Sequence, residues 1–238
     1  MMANSCWAVL PAAGSGRRMA AEIPKQYLEV AGATLLEHSL RALLACPDIR
    51  AVAVVLDPAD RRNDSVSAVL NDARVRIAPG GAERADSVAA GLEALTGEAK
   101  PDDWVLVHDA ARPCVDVASI KQLIDAVMSN GVGGILAEPL VDTLKRGNDE
   151  GRVVETLDRR QLWRAQTPQM FRMDELRDAL ATARREGRLI TDESSAMELA
   201  GHPVQLVAGT PRNLKVTVPA DLALAQFYLS QPDSPAVE

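Results

Sequence analysis

The sequence predicts an α/β protein with a mostly parallel, twisted sheet between two layers of helices. Short apolar runs alternate along the chain with segments of helical period, and the run AVAVVLD at 51–57 is almost continuously apolar. Such a β-branched run is typical of a strand that is buried on both faces. Alternation of strands and helices at this spacing favours parallel strands joined by crossover helices.

The predicted elements follow one another regularly as far as residue 140, and the C-terminal part is less regular. The last helix begins at Pro219, which suits a first helical turn. The predicted strands are 6–11, 51–57, 74–81, one within 103–113 that stops at His108-Asp109, 133–140 and 203–209, with further segments at 167–172 and 213–217. The predicted helices are 35–46, 59–72 (the weakest), 83–95, 116–129, 174–186, 192–200 and 219–229.

Length and charge restrict the class of protein. The 238 residues fit one domain, 1–238, with two domains as the alternative. A net charge of −7 with 3% aromatic residues argues against a broad nucleic-acid surface, but not against binding of small anions where cations are concentrated.

Cysteine usage and hydropathy indicate the compartment. The three cysteines, Cys6, Cys46 and Cys114, show no metal-ligand spacing, and their odd number argues against a disulfide framework. No apolar run approaches the length of a membrane span, and no signal peptide precedes the first strand. We therefore expect a cytoplasmic protein without a membrane partner.

Residues 141–164 interrupt the alternation. Two short alternating segments flank GNDEG, which predicts a β-hairpin with mostly polar faces. An isolated two-stranded hairpin is marginal in water, so it needs a partner surface. We interpret it as an arm for homodimerisation with a second copy of the chain; the alternative is a solvated surface hairpin.

A Gly- and Ala-rich loop, PAAGSGRRMAAEIPK at 11–25, follows the first strand. Backbone amides in such a loop bind phosphate. GSGRRM lacks the third glycine of a dinucleotide fingerprint, which argues against a dehydrogenase, and it is not a P-loop. The cations Arg17, Arg18 and Lys25 beside it suit a triphosphate. A surface loop with solvated cations is the alternative.

Asp109 comes directly after a predicted buried strand, in VLVHDAARP. Ligands of open α/β sheets bind beyond the carboxyl ends of the strands, and one carboxylate beside phosphates commonly holds Mg²⁺. Arg112 is placed to orient that carboxylate or to contact phosphate. The alternative is that Asp109 only caps a turn.

Two further features suit a nucleotide site. Gly80 and Gly81 follow a strand and would let a flat base approach the backbone, with Ser87 one turn into the next helix. Lys215 is an isolated cation among apolar residues. A plain strand–helix turn and a solvated lysine are the alternatives.

The sequence shows no Ser/His/Asp or Cys/His arrangement, and His38, His108 and His202 are interpreted as structural. A phosphate monoester has a second pKa of about 6, so as a nucleophile it needs no general base at neutral pH. A site of cations and Mg²⁺ would be sufficient for such a reaction.

The motifs together resemble the 2-C-methyl-D-erythritol 4-phosphate cytidylyltransferase family over about residues 8–229. They are PAAGSGRRM, PKQYL, GGAERADSV, VHDAARP, DTLKR, TPQMF, TDESSA and NLKVT, in the family's order. The resemblance implies a Rossmann-like three-layer nucleotidyltransferase fold with a protruding β-hairpin arm. It also implies transfer of CMP from CTP to 2-C-methyl-D-erythritol 4-phosphate, with release of pyrophosphate, in isoprenoid precursor biosynthesis.

The resemblance also implies roles for individual residues. Arg18, Lys25 and Lys215 are expected to be catalytic, and Asp109 to hold Mg²⁺, with Mn²⁺ as a substitute. The expected nucleotide-binding residues are Pro11, Ala12, Ala13, Gly14, Ser15, Gly16, Lys25, Gly80, Gly81, Ser87 and Ala110. The expected acceptor-binding residues are Asp109, Arg112, Lys215 and, on the hairpin of the neighbouring subunit, Thr143 and Arg159.

Two alternative functions remain open, and one residue departs from the family's pattern. Ribitol-5-phosphate cytidylyltransferases share the loop and the chemistry, although DTLKR and LDRRQLW favour methylerythritol phosphate. A nucleotide-binding module without catalysis is the alternative of another class, and the presence of Arg18, Lys25, Asp109 and Lys215 argues against it. Ala82 stands where family members often carry an acidic residue, which predicts a nucleotide site that depends on backbone there.

Overall fold

The computed structural model describes residues 5–14, 23–60 and 66–231, and strands and helices alternate within them as predicted. The strands are β1 (Cys6–Pro11), β2 (Glu29–Val30), β3 (Ala33–Thr34), β4 (Ile49–Leu56), β5 (Val75–Pro79), β6 (Trp104–Val107), β7 (Gly134–Pro139), β8 (Lys145–Gly147), β9 (Val153–Thr156), β10 (Trp163–Arg172) and β11 (Gln205–Ala208). The helices are α1 (Leu35–Ala45), α2 (Ser67–Leu70), α3 (Arg84–Leu95), α4 (Val117–Asn130), α5 (Met173–Arg185), α6 (Glu193–Leu199) and α7 (Pro219–Ser230).

Among the described residues, seven strands form a central sheet in the order β11-β7-β10-β6-β1-β4-β5. All neighbours are parallel except β10, which runs antiparallel between β6 and β7. The mostly parallel sheet is thus confirmed. Because β10 returns directly beside β7, it needs no crossover helix, which explains why the alternation lapses in this part of the chain.

Helices cover both faces of the sheet and bury both. Ala8 and Leu10 of β1 face a core shared with α1 and α4, whereas Trp7 and Val9 face a core shared with α3, α5 and α6. Successive side chains of a strand point to opposite faces, so a strand between two helix layers must be apolar at every position. The predicted three-layer fold is confirmed on this point.

Local capping residues explain why the helix boundaries agree closely with those predicted. Thr34 and Glu37 form a capping box at the start of α1. The carboxylate of Asp116 accepts the Ser119 N–H at 2.6 Å before α4, and Gly131 (φ 72°) ends that helix. No helix in the described ranges combines the length and apolar composition needed to cross a bilayer.

One predicted helix is much shorter in the structure. The helix predicted at 59–72 is reduced to Ser67–Leu70, with 61–65 outside the described residues. The strand within 103–113, predicted to stop at His108-Asp109, ends at Val107 and is confirmed; residues 109–112 then turn back, with the Arg112 N–H donating to the Asp109 carbonyl at 3.0 Å. Residues 213–217 are neither helix nor strand.

The hairpin predicted within 141–164 is confirmed as a hairpin. Strands β8 and β9 pair antiparallel, with Lys145 opposite Thr156, and every residue of both strands is exposed. The predicted range extends too far, since Trp163 and Arg164 already belong to β10 and pair with β7. The hairpin therefore projects from the sheet just before β10 begins.

Candidate active site

A cavity of about 660 Å³ lies beyond the carboxyl ends of β1 and β6, the edge at which open α/β sheets bind ligands. The loop after β1, the turn before α3 and the segment before α7 complete its wall. The residues predicted from the sequence that line it are Pro11, Ala12, Ala13, Gly14, Lys25, Gly81, Ser87, Asp109, Ala110 and Lys215. Ser15, Gly16, Arg17 and Arg18 lie outside the described residues.

The loop after β1 is held by buried hydrogen bonds at its start. The Ala12 N–H donates to the Val55 carbonyl at 2.8 Å, and the side-chain amide of Gln26 donates to the Ala12 carbonyl at 2.7 Å. Gln26 is buried and lines the cavity, and the prediction did not include it. These bonds hold the backbone at the start of the loop.

The turn before α3 presents backbone to the cavity. Ser87 Oγ accepts the Gly81 N–H and donates to the Glu83 carbonyl, both at 3.2 Å, so the hydroxyl ties the turn to the helix. Gly80 does not line the cavity, but a Cβ atom at that position would overlap the Ala13 side chain. The glycine therefore permits close contact between this turn and the loop after β1.

Asp109 is held by cations on both carboxylate oxygens. Its Oδ2 lies 2.7 Å from Lys215 Nζ, and its Oδ1 lies 2.9 Å from Arg84 Nη2 and 3.0 Å from Arg84 Nε. Burial by itself raises the pKa of Asp109, but Arg84 and Lys215 outweigh it and hold the pKa well below its usual range. Asp109 is thus an anion among cations.

Arg84 and Glu193 are site residues that the sequence analysis did not single out. Arg84 begins α3 and Glu193 begins α6, and they form a bidentate pair with Nη1–Oε1 at 2.5 Å and Nη2–Oε2 at 2.9 Å. Burial acts to lower the pKa of Arg84, but Glu193 and Asp109 outweigh it and raise the pKa. Both lie within motifs of the family resemblance, GGAERADSV and TDESSA, but no charge pattern or spacing in the sequence links the two.

Lys25 and Lys215 approach the cavity from one side. The segment that carries Lys215 is fixed by the Val216 N–H, which donates to the Ala111 carbonyl at 2.8 Å. Lys25 Nζ contacts the Val216 carbonyl at 3.5 Å, so both ammonium groups belong to the same wall. Preorganised cations beside exposed amides stabilise negative charge that develops on a phosphoryl group.

Arg112 is predicted to bind substrate, but it does not line the cavity in this structure. It is nine-tenths buried, and its guanidinium donates to the carbonyls of Asn213 (2.7 Å) and Ala165 (3.3 Å). Its Nε has no hydrogen-bond partner among the described residues. Arg112 therefore joins the segment before Lys215 to β10.

Thr143 and Arg159 are also outside the cavity. Both side chains are exposed at the base of the hairpin, and Arg159 donates to the Val141 carbonyl. The fold of one chain therefore does not bring either residue to its own Asp109.

His108 has a structural environment, as predicted. The ring is fully buried between Thr167 Oγ1, 3.0 Å from Nδ1, and the Arg112 carbonyl, 3.2 Å from Nε2. Burial lowers its pKa to about 4, so the ring is neutral at pH 7. Thr167 Oγ1 also accepts the Asp109 N–H at 3.0 Å, so this network supports the backbone that carries the carboxylate.

The donor set around Asp109 fits a hard divalent cation. Within the described ranges there is no group of three or more His, Cys, Asp or Glu side chains that could hold a metal ion. Oδ1 accepts the Arg84 Nε–H and also lies 2.9 Å from Arg84 Nη2, whereas Oδ2 has Lys215 as its partner, and since a carboxylate oxygen can accept two contacts, Oδ2 keeps one position. One carboxylate completed by phosphate oxygens and water is a usual arrangement for Mg²⁺.

The fold and the site together define a class. An amide-presenting loop after the first strand, a carboxylate after a central strand and a cluster of cations share one cavity at the carboxyl edge of a mostly parallel sheet. This arrangement is that of an α/β nucleotidyltransferase.

Comparison with known proteins identifies the family. The family model for 2-C-methyl-D-erythritol 4-phosphate cytidylyltransferase matches residues 6–231. Proteins of that name from Photobacterium profundum (50% identical, covering 97% of this chain and 98% of the relative) and Haemophilus influenzae strain Rd (49%, covering 97% and 99%) are similar to it. The chain belongs to the 2-C-methyl-D-erythritol 4-phosphate cytidylyltransferase family.

Solved structures agree with this assignment. A crystal structure of 4-diphosphocytidyl-2C-methyl-D-erythritol synthase superimposes with a TM-score of 0.83 at 38% identity, covering 96% of this chain and 100% of the other. The Francisella tularensis 2-C-methyl-D-erythritol 4-phosphate cytidylyltransferase gives a TM-score of 0.80 at 34% identity, covering 94% and 99%. The predicted family, fold and class of enzyme, a cytidylyltransferase, are confirmed.

Proposed function

We propose that this protein transfers CMP from CTP to 2-C-methyl-D-erythritol 4-phosphate. An oxygen of the acceptor phosphate attacks the α-phosphorus of CTP and forms a new P–O bond. The bond between the α-phosphorus and the oxygen that bridges it to the β-phosphate breaks. Pyrophosphate leaves, and 4-diphosphocytidyl-2-C-methyl-D-erythritol is the other product. The observation that carries this proposal is the pairing of Arg84 and Lys215 with Asp109 in a cavity that Lys25 and the loop after β1 also line.

The proposed roles follow from charge. The acceptor phosphate is already largely dianionic at neutral pH, so no residue has to remove a proton from it. Lys25 and Lys215 stabilise the charge that builds around the α-phosphorus. Arg18 is proposed to join them from the part of the loop outside the described residues.

The nucleotide is proposed to bind through backbone. Amides from Ala13 to Gly16 receive the triphosphate, and Ala12, whose N–H is held by the Val55 carbonyl, contributes the backbone at the start of the loop. Gly81 and Ser87 bind the base, where Ala82 offers no charged side chain, and Gly80 supports them. The remaining proposed nucleotide contacts are Pro11 and Ala110, which line the same cavity.

Asp109 is the residue proposed to hold Mg²⁺, or Mn²⁺ in its place. The bound ion would neutralise phosphate charge and make the α-phosphorus more electrophilic. Arg84 and Lys215 keep the carboxylate ionised and oriented toward the cavity.

We propose a homodimer in which residues 141–164 of one chain reach the site of the other. The strands of the hairpin are exposed at every residue, which is an unfavourable state for an isolated hairpin. In this arrangement Thr143 and Arg159 contact the acceptor in the partner's site. Arg112 supports the acceptor side of the site through the segment that precedes Lys215. Residues 1–238 are proposed to form one domain.

A cytoplasmic location is proposed from the cysteines. Cys6, Cys46 and Cys114 are all free thiols buried in the core. Burial raises the pKa of Cys6 to about 12 and that of Cys114 to about 11, so these thiols stay protonated. This pattern suits a reducing compartment.

The test is pyrophosphate release from CTP and Mg²⁺ with 2-C-methyl-D-erythritol 4-phosphate or ribitol 5-phosphate as acceptor. We expect turnover with the first acceptor. Turnover with ribitol 5-phosphate alone would keep the chemistry and overturn the acceptor. CTP binding without turnover on either acceptor would favour the non-catalytic nucleotide-binding module.

A further inference from the structure

Four charged side chains form a row that ends in the cavity. Glu193, Arg84, Asp109 and Lys215 alternate in sign, and each ion pair in the row is 2.9 Å or shorter at its closest atoms. The charges of the row sum to zero. Only the last three residues line the cavity; Glu193 is fully buried behind Arg84.

Glu193 is itself fixed in place. The preceding residue, Asp192, caps α6 by accepting the Ser195 N–H at 3.0 Å, and the Ser194 N–H donates to Gln169 Oε1 of β10 at 2.8 Å. Glu193 thus holds Arg84 from a helix start that is tied to the central sheet.

The electrostatic consequence concerns Asp109. With Glu193 ionised, the charge of Arg84 is shared between two carboxylates, so Asp109 keeps part of its own charge for a further cation. Without the negative charge of Glu193, Asp109 would be the one anion between two cations, Arg84 and Lys215. The row would then carry a net charge of +1. A divalent cation would then be repelled, whereas the phosphates of a nucleotide would be attracted.

We propose that Glu193 is a positioning residue that acts on Asp109 through the charge of Arg84: by holding that guanidinium in a bidentate pair, it leaves the Asp109 carboxylate able to accept a divalent cation beside the nucleotide. The inference rests on the proposed function, in which Asp109 holds the metal. Glu193 contacts neither substrate in this account and acts only through Arg84.

The test measures CTP binding by titration calorimetry, once in EDTA and once with Mg²⁺, and takes the ratio of the two affinities as the Mg²⁺-dependent gain. For Glu193→Gln we expect that gain to fall about tenfold, while the affinity in EDTA is no lower than that of the wild type. A merely structural role would weaken both affinities together. An unchanged gain, or an equal loss in both conditions, overturns the inference.

Three variants complete the comparison. Glu193→Asp keeps the charge, and we expect it to keep most of the gain. The double variant Arg84→Gln with Glu193→Gln returns the row to zero charge, so we expect its Mg²⁺-dependent gain in CTP affinity to recover to within about threefold of the wild type. Its kcat should still be low, because no side chain holds Oδ1 of Asp109. Glu98→Gln is the matched control, since it removes an exposed carboxylate paired with Arg76 at 2.5 Å; it should match the wild type.

The double variant also protects the test against misfolding. Removing one partner of a buried pair leaves an uncompensated buried charge, whereas removing both partners leaves none. If Glu193→Gln does not fold, a double variant without the Mg²⁺-dependent gain overturns the inference by itself. Failure of the proposed function is distinguishable, because it appears as a wild type that binds CTP but releases no pyrophosphate.

Discussion

The Nζ atom of Lys215 lies 2.7 Å from Oδ2 of Asp109 and joins the segment before α7 to the end of β6. The two residues are distant in sequence, and each has an ordinary alternative interpretation by itself. The alternative for Asp109 was a residue that only caps a turn, and the alternative for Lys215 was a solvated lysine. Their ion pair argues against both. Their pairing places one ammonium group at the wall of the cavity that also holds Lys25.

Replacing Lys215 by Met should lower kcat by about 10²–10³-fold, the usual cost of removing one preorganised charge contact in the transition state. Asp109 keeps its ion pair with Arg84 when Lys215 is removed, so the variant should still fold. Steady-state pyrophosphate release measures the first effect and circular dichroism the second. Lys121→Met, which removes an exposed pair with Asp125, is the control. Near-normal turnover of the Lys215 variant would refute the proposed role.

A mixed dimer of Lys25→Ala chains and Arg159→Ala chains should recover activity that neither parent shows. In the proposed dimer, one of its two sites receives an intact Lys25 from its own chain and an intact Arg159 from the other chain. Co-expression with two different tags and tandem purification gives the mixed dimer for the same assay. An inactive mixed dimer, with both parents folded and inactive, would count against a shared site.

Gly80→Ala should raise the KM for CTP about tenfold, because the added methyl group would overlap the Ala13 side chain and force the loop after β1 away from the turn before α3. The KM for the acceptor should change less. Gly97→Ala, where an added Cβ meets nothing within 4 Å, is the matched control. Equal KM values for CTP in both variants would show that this contact does not shape the nucleotide site.

Asp103→Asn should destabilise the protein more at pH 7 than under acidic conditions. The carboxylate accepts the N–H groups of Ser5 (3.2 Å) and Lys100 (3.0 Å) and the indole N–H of Trp7 (2.9 Å). Burial raises the pKa of Asp103, but these hydrogen bonds outweigh it and lower the pKa. A carboxylate with a lowered pKa stabilises the fold above its unfolded pKa, and that contribution is lost as the pH falls.

The measurement is urea unfolding of both proteins from pH 7 to pH 3. We expect a difference in the free energy of unfolding of about 1–3 kcal/mol at pH 7, narrowing below about pH 4. Asp102→Asn, at the exposed neighbouring position, is the control. A difference that stays constant over the whole range would show that the charge of Asp103 contributes nothing.

Elements with a strong local signal were predictable, and those without one were not. The apolar run of β4 and the capping box at Thr34 belong to short stretches of chain, so their structure can be inferred locally. β10 was harder, because it passes from the hairpin into the centre of the sheet without the helix that separates parallel strands. The short pair β2 and β3, two residues each, has too little sequence to show a period.

The candidate site divides in the same way. The loop after β1 and Asp109 were found because strand ends are where α/β proteins place ligands. Glu193 was missed because its importance depends on a contact with Arg84, and no spacing in the sequence links the two. Arg112 was found, but its observed partners are the carbonyls of Asn213 and Ala165, which no local pattern indicates.

The sequence by itself determined the alternation of strands and helices, the amide-presenting loop, the hairpin and the resemblance to a cytidylyltransferase family, because each depends on patterns within short segments. Only the tertiary structure decided which charges meet. The order of strands in the sheet places the start of α3 and the segment of Lys215 beside Asp109, and the start of α6 beside Arg84. Ion pairing depends on distances in space, and those distances are set by the order of strands in the sheet and not by separation along the chain.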